Sequence, residues 1–172
     1  MFNKENTVLI IGDSPYLADI EDKLAYLIER YPSLGINNII RKYPTQIHIF
    51  QDMPFCALTN QYPNIKTVAP AVHGDLISKE NKELIDSYTY NSFVNNSKDI
   101  YKNGRLAWCG FTHDYAISYC IHKGYENIIL IGAADFMQGK HYMTDAEFSP
   151  SQVFSVNSKN FIEKACTQRA NI

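Results

Sequence analysis

The sequence predicts an α/β protein, a three-layer domain whose central sheet is mostly parallel. Short apolar runs rich in Val, Ile and Leu recur along the chain, as is typical of strands that are buried on both faces. Segments with apolar residues at helical spacing lie between several of these runs. This alternation indicates βαβ units. A chain of 172 residues suits one domain, which we expect to span 1–172.

The first unit consists of the apolar run TVLII at 7–11 and a helix predicted over 17–31. Further strands are predicted in SLGIN at 33–37, QIHIFQD at 46–52, NIKTVAP at 64–70, RLAWCG at 105–110 and NIILIGAADF at 127–136. Residues 112–125 predict a helix that is capped by Thr112, closed near Gly124, and buries Ala116, Ile117, Cys120 and Ile121. The Asn-rich segment 86–104 is interpreted as a long surface loop or lid, and 149–172 as a final helix capped at Asn157 or Ser158.

Composition and charge exclude several classes of function. A formal net charge of -2 provides no electrostatic footprint for nucleic acid. No apolar run approaches the roughly 20 residues of a membrane span, and the N-terminus lacks the apolar core of a signal peptide. The four cysteines are scattered without Cys-x-x-Cys spacing. We therefore expect a cytoplasmic protein with reduced thiols and with no metal site.

Polar residues collect where the predicted strands end. In an open parallel sheet, ligands bind beyond the carboxyl ends of the strands, where the strand order reverses. We therefore expect these residues to surround a ligand site. The groups, in chain order, are Gly12-Asp13-Ser14, Asn37-Asn38, Asp52, Thr112-His113-Asp114 and Asp135.

The turn Gly12-Asp13-Ser14-Pro15 has two interpretations. In the first, Gly12 permits close backbone approach to a phosphate, while Ser14 caps a helix whose N-terminus attracts the anion. In the second, Ser14 is a nucleophile, because IIGDS resembles the first block of the SGNH/GDSL hydrolases. That family needs an Asp-x-x-His pair to activate the serine, and no Asp in this chain has a His three residues later. The phosphate interpretation is therefore favoured.

Most of the chain resembles the bacterial sialyltransferases of lipooligosaccharide synthesis. LIIGDSPYL at 9–17 is similar to their opening strand and Gly-Asn-Gly/Ser-Pro-Ser-Leu turn, and Asn37 and Asp52 match the ends of the next two strands. The most specific match is FTHDYAISYCIHKGYENIILIGAADF at 111–136, which keeps the helix, Gly-Tyr, strand and Asp-Phe without a gap. The motility-accessory-factor glycosyltransferases and pterin pyrophosphokinase type domains share this pattern.

The resemblance implies a Rossmann-like domain that binds a nucleotide-sugar and transfers the sugar with inversion. Its substrates would be a nucleotide-sugar donor, with CMP as one candidate nucleotide, and a glycan or another hydroxyl acceptor; no resident cofactor is implied. A homo-oligomer is compatible with it. By resemblance, Gly12, Ser14 and Asn37 would contact the phosphate, and Asp52 and Thr112 the sugar or ribose. Tyr142 would contact the leaving group. Asp13 and Asp135 would complete the nucleotide site.

The catalytic positions depart from the family pattern. Asn157 stands where the family has its catalytic histidine, and an amide is no general base near neutral pH. His113 and His141 are the candidates for a relocated base. Asp13 replaces the family Asn and sets a negative charge beside the expected phosphate. Two alternatives therefore stay open: a nucleotide-binding or assembly module without catalysis, and the serine hydrolase.

Overall fold

The computed structural model describes residues 3–89, 100–132, 139–140, 147–148, 159–163 and 165. The described strands are β1 (Thr7–Ile11), β2 (Ser33–Ile36), β3 (Ile47–Ile49), β4 (Lys66–Ala69), β5 (Lys82–Leu84), β6 (Ser87–Thr89), β7 (Tyr101–Lys102), β8 (Arg105–Trp108), β9 (Asn127–Ile131), β10 (Gly139–Lys140) and β11 (Glu147–Phe148). The described α-helices are α1 (Glu21–Arg30), α2 (Pro54–Asn60) and α3 (Thr112–His122). Short 3-10 helices span Lys4–Asn6, Pro15–Ile20, Asn37–Arg41 and Ala71–Leu76.

Six strands form a central parallel sheet in the order β5-β4-β3-β2-β1-β9. The chain therefore builds outward from β1 to β5 and then returns to place β9 on the other side of β1. This reversal makes the β1–β9 junction the topological switch point of the sheet. The predicted α/β class with a mostly parallel sheet is confirmed.

Alternate residues of β1 enter two apolar cores, one on each face of the sheet. Val8 and Ile10 pack with the buried face of α3, whereas Leu9 and Ile11 pack with Leu17 and with α1. All five residues of β1 are buried, as the continuous apolar run predicts. The result is a helix–sheet–helix sandwich, which confirms the three-layer arrangement.

β8 lies outside the central sheet, contrary to the expectation that 105–110 joins the parallel set. It pairs in parallel with β6 and antiparallel with β7 in a separate three-stranded sheet. The cause is local: Asn103 and Gly104 both have positive φ, which forms a two-residue hairpin and occupies one edge of β8. β6 and β7 are the described parts of the 86–104 segment.

The first predicted helix is divided. A 3-10 helix at Pro15–Ile20 precedes α1, so the α-helix starts at Glu21 with Ile20 as its N-cap. The helix that begins directly after Ser14, at Pro15, is therefore a 3-10 helix and not the start of the α-helix. Leu17 explains the tighter turn, because its N–H donates to the Ser14 carbonyl at 3.1 Å while its side chain is fully buried.

The second predicted helix, α3, is correct in extent but not in its cap. Phe111 holds the N-cap position and Thr112 is the first helical residue, so Thr112 is not the cap. The predicted end near Gly124 is confirmed. Gly124 has a φ of 86°, and its N–H and that of Tyr125 donate to the carbonyls of Ile121 and Cys120, which forms a Schellman motif.

Toward the C-terminus, residues 159–163 and 165 are helical, and Phe161 and Ala165 are buried in the core that contains α3. The proposed caps of that helix, Asn157 and Ser158, lie outside the described residues. Among the described helices, none combines the length and the apolar composition needed to cross a membrane.

Candidate functional site

The ends of β1, β2 and β3 bring predicted site residues to one edge of the sheet. Gly12 and Ser14 follow β1, Asn37 follows β2, and Asp52 lies three residues beyond β3. These strands are direct neighbours and parallel. Two strand spacings amount to about 10 Å, so these residues lie along a short stretch of one edge. Asp52 is exposed and just precedes α2.

The switch point itself is joined by backbone hydrogen bonds. The Gly12 N–H donates to the Ile131 carbonyl at 2.8 Å, and the Ser14 N–H donates to the Gly132 carbonyl at 3.0 Å. A Cβ on Gly132 would lie 2.8 Å from the Gly12 carbonyl oxygen, so only glycine allows this approach. Gly12 therefore has no donor left for a phosphate, contrary to its expected role, and a contact from Ser14 must come from its side chain. Asp13 between them is half-buried.

Ser14 is 3 % exposed. A nucleophilic serine needs an accessible hydroxyl beside a base. Burial of this side chain therefore weighs against the hydrolase interpretation.

Half-buried Asn37, beyond β2, contacts buried His48 of β3. Asn37 has a φ of 54°, a left-handed conformation that Asn tolerates better than most residues. The His48 Nε2 donates to the Asn37 carbonyl at 2.8 Å. Burial lowers the pKa of His48 to about 3, so its ring is neutral and its Nδ1 is a hydrogen-bond acceptor.

Three buried polar atoms at this edge have no hydrogen-bond partner: the Asn37 Oδ1, the His48 Nδ1 and the Gln51 Nε2. Gln51 lies at the same edge because it follows β3. Its carbonyl accepts a hydrogen bond from the His73 Nε2 at 2.7 Å. Buried polar groups in folded proteins are nearly always hydrogen-bonded, to protein or to water. Further buried polar atoms without a partner are on Ser33, Trp108 and Asp114. It is the position of the first three on the neighbouring strands β2 and β3 and the residues after them that points to this edge as a place where water or a polar ligand would bond.

A second group of polar side chains lies at the start of α3. Glu126 lies between the end of α3 and the start of β9. Its N–H donates to the carbonyl of Asn6, the residue before β1, at 3.0 Å, so α3 ends at the amino-end side of the sheet. The helix that leads into a parallel strand runs back along the sheet. Its N-terminus, with Thr112 and His113, therefore faces the carboxyl-end side.

His113 and Asp114 form a buried pair there. The His113 Nε2 lies 3.1 Å from the Asp114 Oδ1, and their side chains are 4 % and 0 % exposed. The Phe111 ring stacks on His113 with 5.4 Å between centroids. Nearby, burial and the charge of Asp114 raise the pKa of Cys109, so this thiol stays protonated. A carboxylate bonded to one imidazole nitrogen orients the ring and directs proton transfer to the other.

The remaining candidates cannot be placed on this site. Asp135, His141, Tyr142 and Asn157 lie outside the described residues. Among the residues that the structure does describe, no three His, Cys, Asp or Glu side chains are grouped so as to hold a metal ion.

Sequence reasoning missed His48 and Gln51. His48 stands inside an apolar strand without a spaced partner, so its sequence context does not distinguish it from a core histidine. Its contact with Asn37 joins residues 11 positions apart, which no local spacing reveals. The one available signal is a histidine within a buried strand next to a strand-end asparagine.

Comparison of the chain with protein-family models, with curated proteins and with solved structures finds no match.

Proposed function

We propose that the carboxyl edge of the sheet binds a nucleotide-sugar and that the protein transfers the sugar to an acceptor hydroxyl with inversion. The observation that carries this proposal is the set of buried polar atoms on Asn37, His48 and Gln51 that have no hydrogen-bond partner. They supply acceptors and a donor for the hydroxyl and amino groups of a nucleoside or sugar. The resemblance of 9–17 and 111–136 to sialyltransferase motifs is the reason for proposing a nucleotide-sugar as the donor.

The strand order supports the same location. Ligands of doubly wound sheets bind at the carboxyl edge near the switch point, which here is the β1–β9 junction. Asn37 and Asp52 lie one and two strands away from β1, within the reach of an extended ligand. In this arrangement Asn37 faces the phosphate side, whereas exposed Asp52 and half-buried Thr112 contact the sugar or ribose.

His113 is the proposed general base. Asp114 holds its Nε2; the ring is 4 % exposed, so this role requires a movement that opens it to the acceptor, whose hydroxyl proton Nδ1 then takes. The acceptor oxygen attacks the anomeric carbon, and the bond from that carbon to the phosphate oxygen breaks. The nucleotide leaves with the electron pair, and attack from the opposite face inverts the anomeric centre. Positioned donors at the phosphate stabilise the charge that develops there.

The test has two stages. First, CMP, UDP, GDP and their sugar conjugates are titrated against the full chain by calorimetry; the proposal expects at least one to bind. Second, hydrolysis of the bound donor is followed for the parent and for His113→Gln. We expect a loss of about 10²–10⁴-fold in kcat, as for removal of a general base.

Two controls separate chemistry from folding. His122→Gln changes an exposed histidine at the other end of α3 and should keep full activity. Asp114→Asn should shift the pH profile and lower kcat more than it raises KM, a change that a merely structural role would not produce. Binding without turnover would favour the non-catalytic module, and absence of any nucleotide binding would refute the proposal.

A further inference from the structure

A pocket of about 430 Å³ lies beside the β7–β8 hairpin, away from the site above. Its described lining residues are Tyr88, Lys102, Asn103 and Arg105. This volume falls within the range of small-molecule sites. The lining carries two cationic side chains, one amide and one phenol, and includes no acidic residue among those described.

The two cations face each other across the hairpin. Lys102 and Arg105 are directly paired in the antiparallel register of β7 and β8, so their side chains emerge on the same face. Like charges directly opposite each other destabilise a strand pair. Neither side chain forms an ion pair or hydrogen bond with the residues that the structure describes. Both side chains are exposed, so solvent screens their mutual repulsion, and both remain available to an anion placed between them.

The neighbouring carboxylates are already engaged elsewhere. Glu83 pairs with Lys66 at 2.7 Å and with Lys123 at 2.6 Å. The Asp86 Oδ1 accepts from the Ala71 N–H at 2.9 Å. Among the described residues, these two acids are therefore engaged away from the hairpin cations.

The hairpin is also preorganised. Asn103 and Gly104, its two central residues, have φ values of 52° and 77°, which is the pattern of a type I′ turn. This turn matches the twist of the strands and holds the two flanking cations at a defined separation. Preorganisation lowers the ordering cost of binding.

Tyr88 shares the cationic face. In the parallel register Tyr88 is opposite Ala107, and residues two apart on β8 point to the same side, which aligns Tyr88 with Arg105. Its half-buried ring lines the pocket and offers an aromatic surface beside the two charges. A ligand that carries both an anionic group and a carbon skeleton fits this combination better than a bare ion does.

We propose that this hairpin pocket binds a small molecule through a compact oxyanion, a phosphate or a carboxylate, held between Lys102 and Arg105. The amide of Asn103 donates a further hydrogen bond, and the carbon skeleton lies against Tyr88. Arginine and lysine donors make the strong, charge-assisted bonds that oxyanions accept. The pocket is at the amino end of β8, whereas α3 begins beyond its carboxyl end, so this site is separate from the proposed nucleotide site.

The test uses calorimetric titration of the full chain with inorganic phosphate, pyrophosphate and citrate at low salt. We expect at least one of them to bind, and the double variant Lys102→Gln/Arg105→Gln to weaken that binding by at least about tenfold. Binding of the phosphates alone assigns a phosphate ligand, and binding of citrate alone assigns a carboxylate.

The matched control is Lys4→Gln/Lys23→Gln, which removes the same charge from exposed positions and should keep the affinity. In the parent chain, the NMR signal of the Gly104 amide should shift on titration. No binding, an equal loss in the control pair, or an unmoved Gly104 signal would each overturn the proposal.

Discussion

Replacing Gly132 with alanine tests the junction at the switch point of the sheet. Gly132 has a φ of 72°, which L-residues rarely adopt. Its added Cβ would lie 2.8 Å from the Gly12 carbonyl oxygen and 2.9 Å from the Leu17 Cδ2. The backbone oxygen cannot move without breaking the β1–β9 hydrogen bonds, so the strain has no inexpensive relief.

The expected cost has two parts. A left-handed conformation at a residue with a Cβ costs about 1–2 kcal/mol. Overpacking of a close-packed site costs a further amount of about 1–3 kcal/mol. We therefore expect Gly132→Ala to lower the free energy of unfolding by about 2–5 kcal/mol, a large fraction of the stability of a domain of this size.

The assay is urea unfolding followed by circular dichroism, with Gly104→Ala and Gly124→Ala as controls. Both glycines have positive φ, 77° and 86°, but an added Cβ meets nothing within 4 Å. The controls therefore carry only the conformational cost of about 1–2 kcal/mol. If Gly132→Ala proves no more destabilising than the controls, the proposed close approach of Gly132 to Gly12 is refuted.

Three further predictions concern pH, charge and packing. Burial lowers the pKa of His48 to about 3, so the free energy of unfolding should fall as the pH drops from 6.5 toward 3, by up to about 1.4 kcal/mol per pH unit. In His48→Gln, urea unfolding between pH 5 and 7 should show a weaker dependence of this free energy on pH. An unchanged dependence would contradict the lowered pKa. The Glu83 carboxylate is partly exposed and accepts hydrogen bonds from Lys66, Tyr119 and Lys123. Glu83→Gln should therefore lower the free energy of unfolding by about 1 kcal/mol at low salt and by less at 1 M salt. The control Glu80→Gln, at an exposed position, should have no effect. Gly35→Ala should cost about 1–3 kcal/mol in thermal or urea unfolding because its Cβ would lie 2.6 Å from the Thr45 Oγ1, and a neutral result would show that Thr45 moves freely.

The central layers of the fold could be predicted from sequence because β1 and β9 are continuous apolar runs. β1 is buried throughout, as its residue types predict, whereas β9 lies at the edge of the sheet and is buried only at Ile128 and Ile131. Their parallel pairing follows from the helices between the strands. The sheet to which β8 belongs could not be deduced from its own composition, since strand pairing depends on distant partners. The Asn103-Gly104 dipeptide is nonetheless a strong hairpin signal, whereas the polar composition of 86–104 as a whole indicates a surface loop.

The placement of several candidate residues at strand ends could be predicted from the sequence, but their contacts could not. Strand-end residues such as Asn37 and Asp52 were identified because parallel strands share one carboxyl edge. The pairing of His113 with Asp114 was not, because consecutive residues within a helix do not normally face each other. The open atoms of His48 and Gln51 depend on burial by residues far away in sequence, which only the folded chain reveals.

Calorimetric titration of nucleotides and nucleotide-sugars against Asn37→Gly and Asn103→Gly tests the central claim most directly. The two asparagines have φ values of 54° and 52°, so the same substitution relieves the same backbone conformation at both positions. Asn37→Gly removes a side chain from the sheet edge, and Asn103→Gly removes one from the hairpin. We predict at least a tenfold loss of nucleotide affinity in Asn37→Gly alone, about the cost of one hydrogen bond to a charged group. Unchanged affinity in Asn37→Gly, or an equal loss in both variants, would contradict a nucleotide site at the carboxyl edge of the sheet.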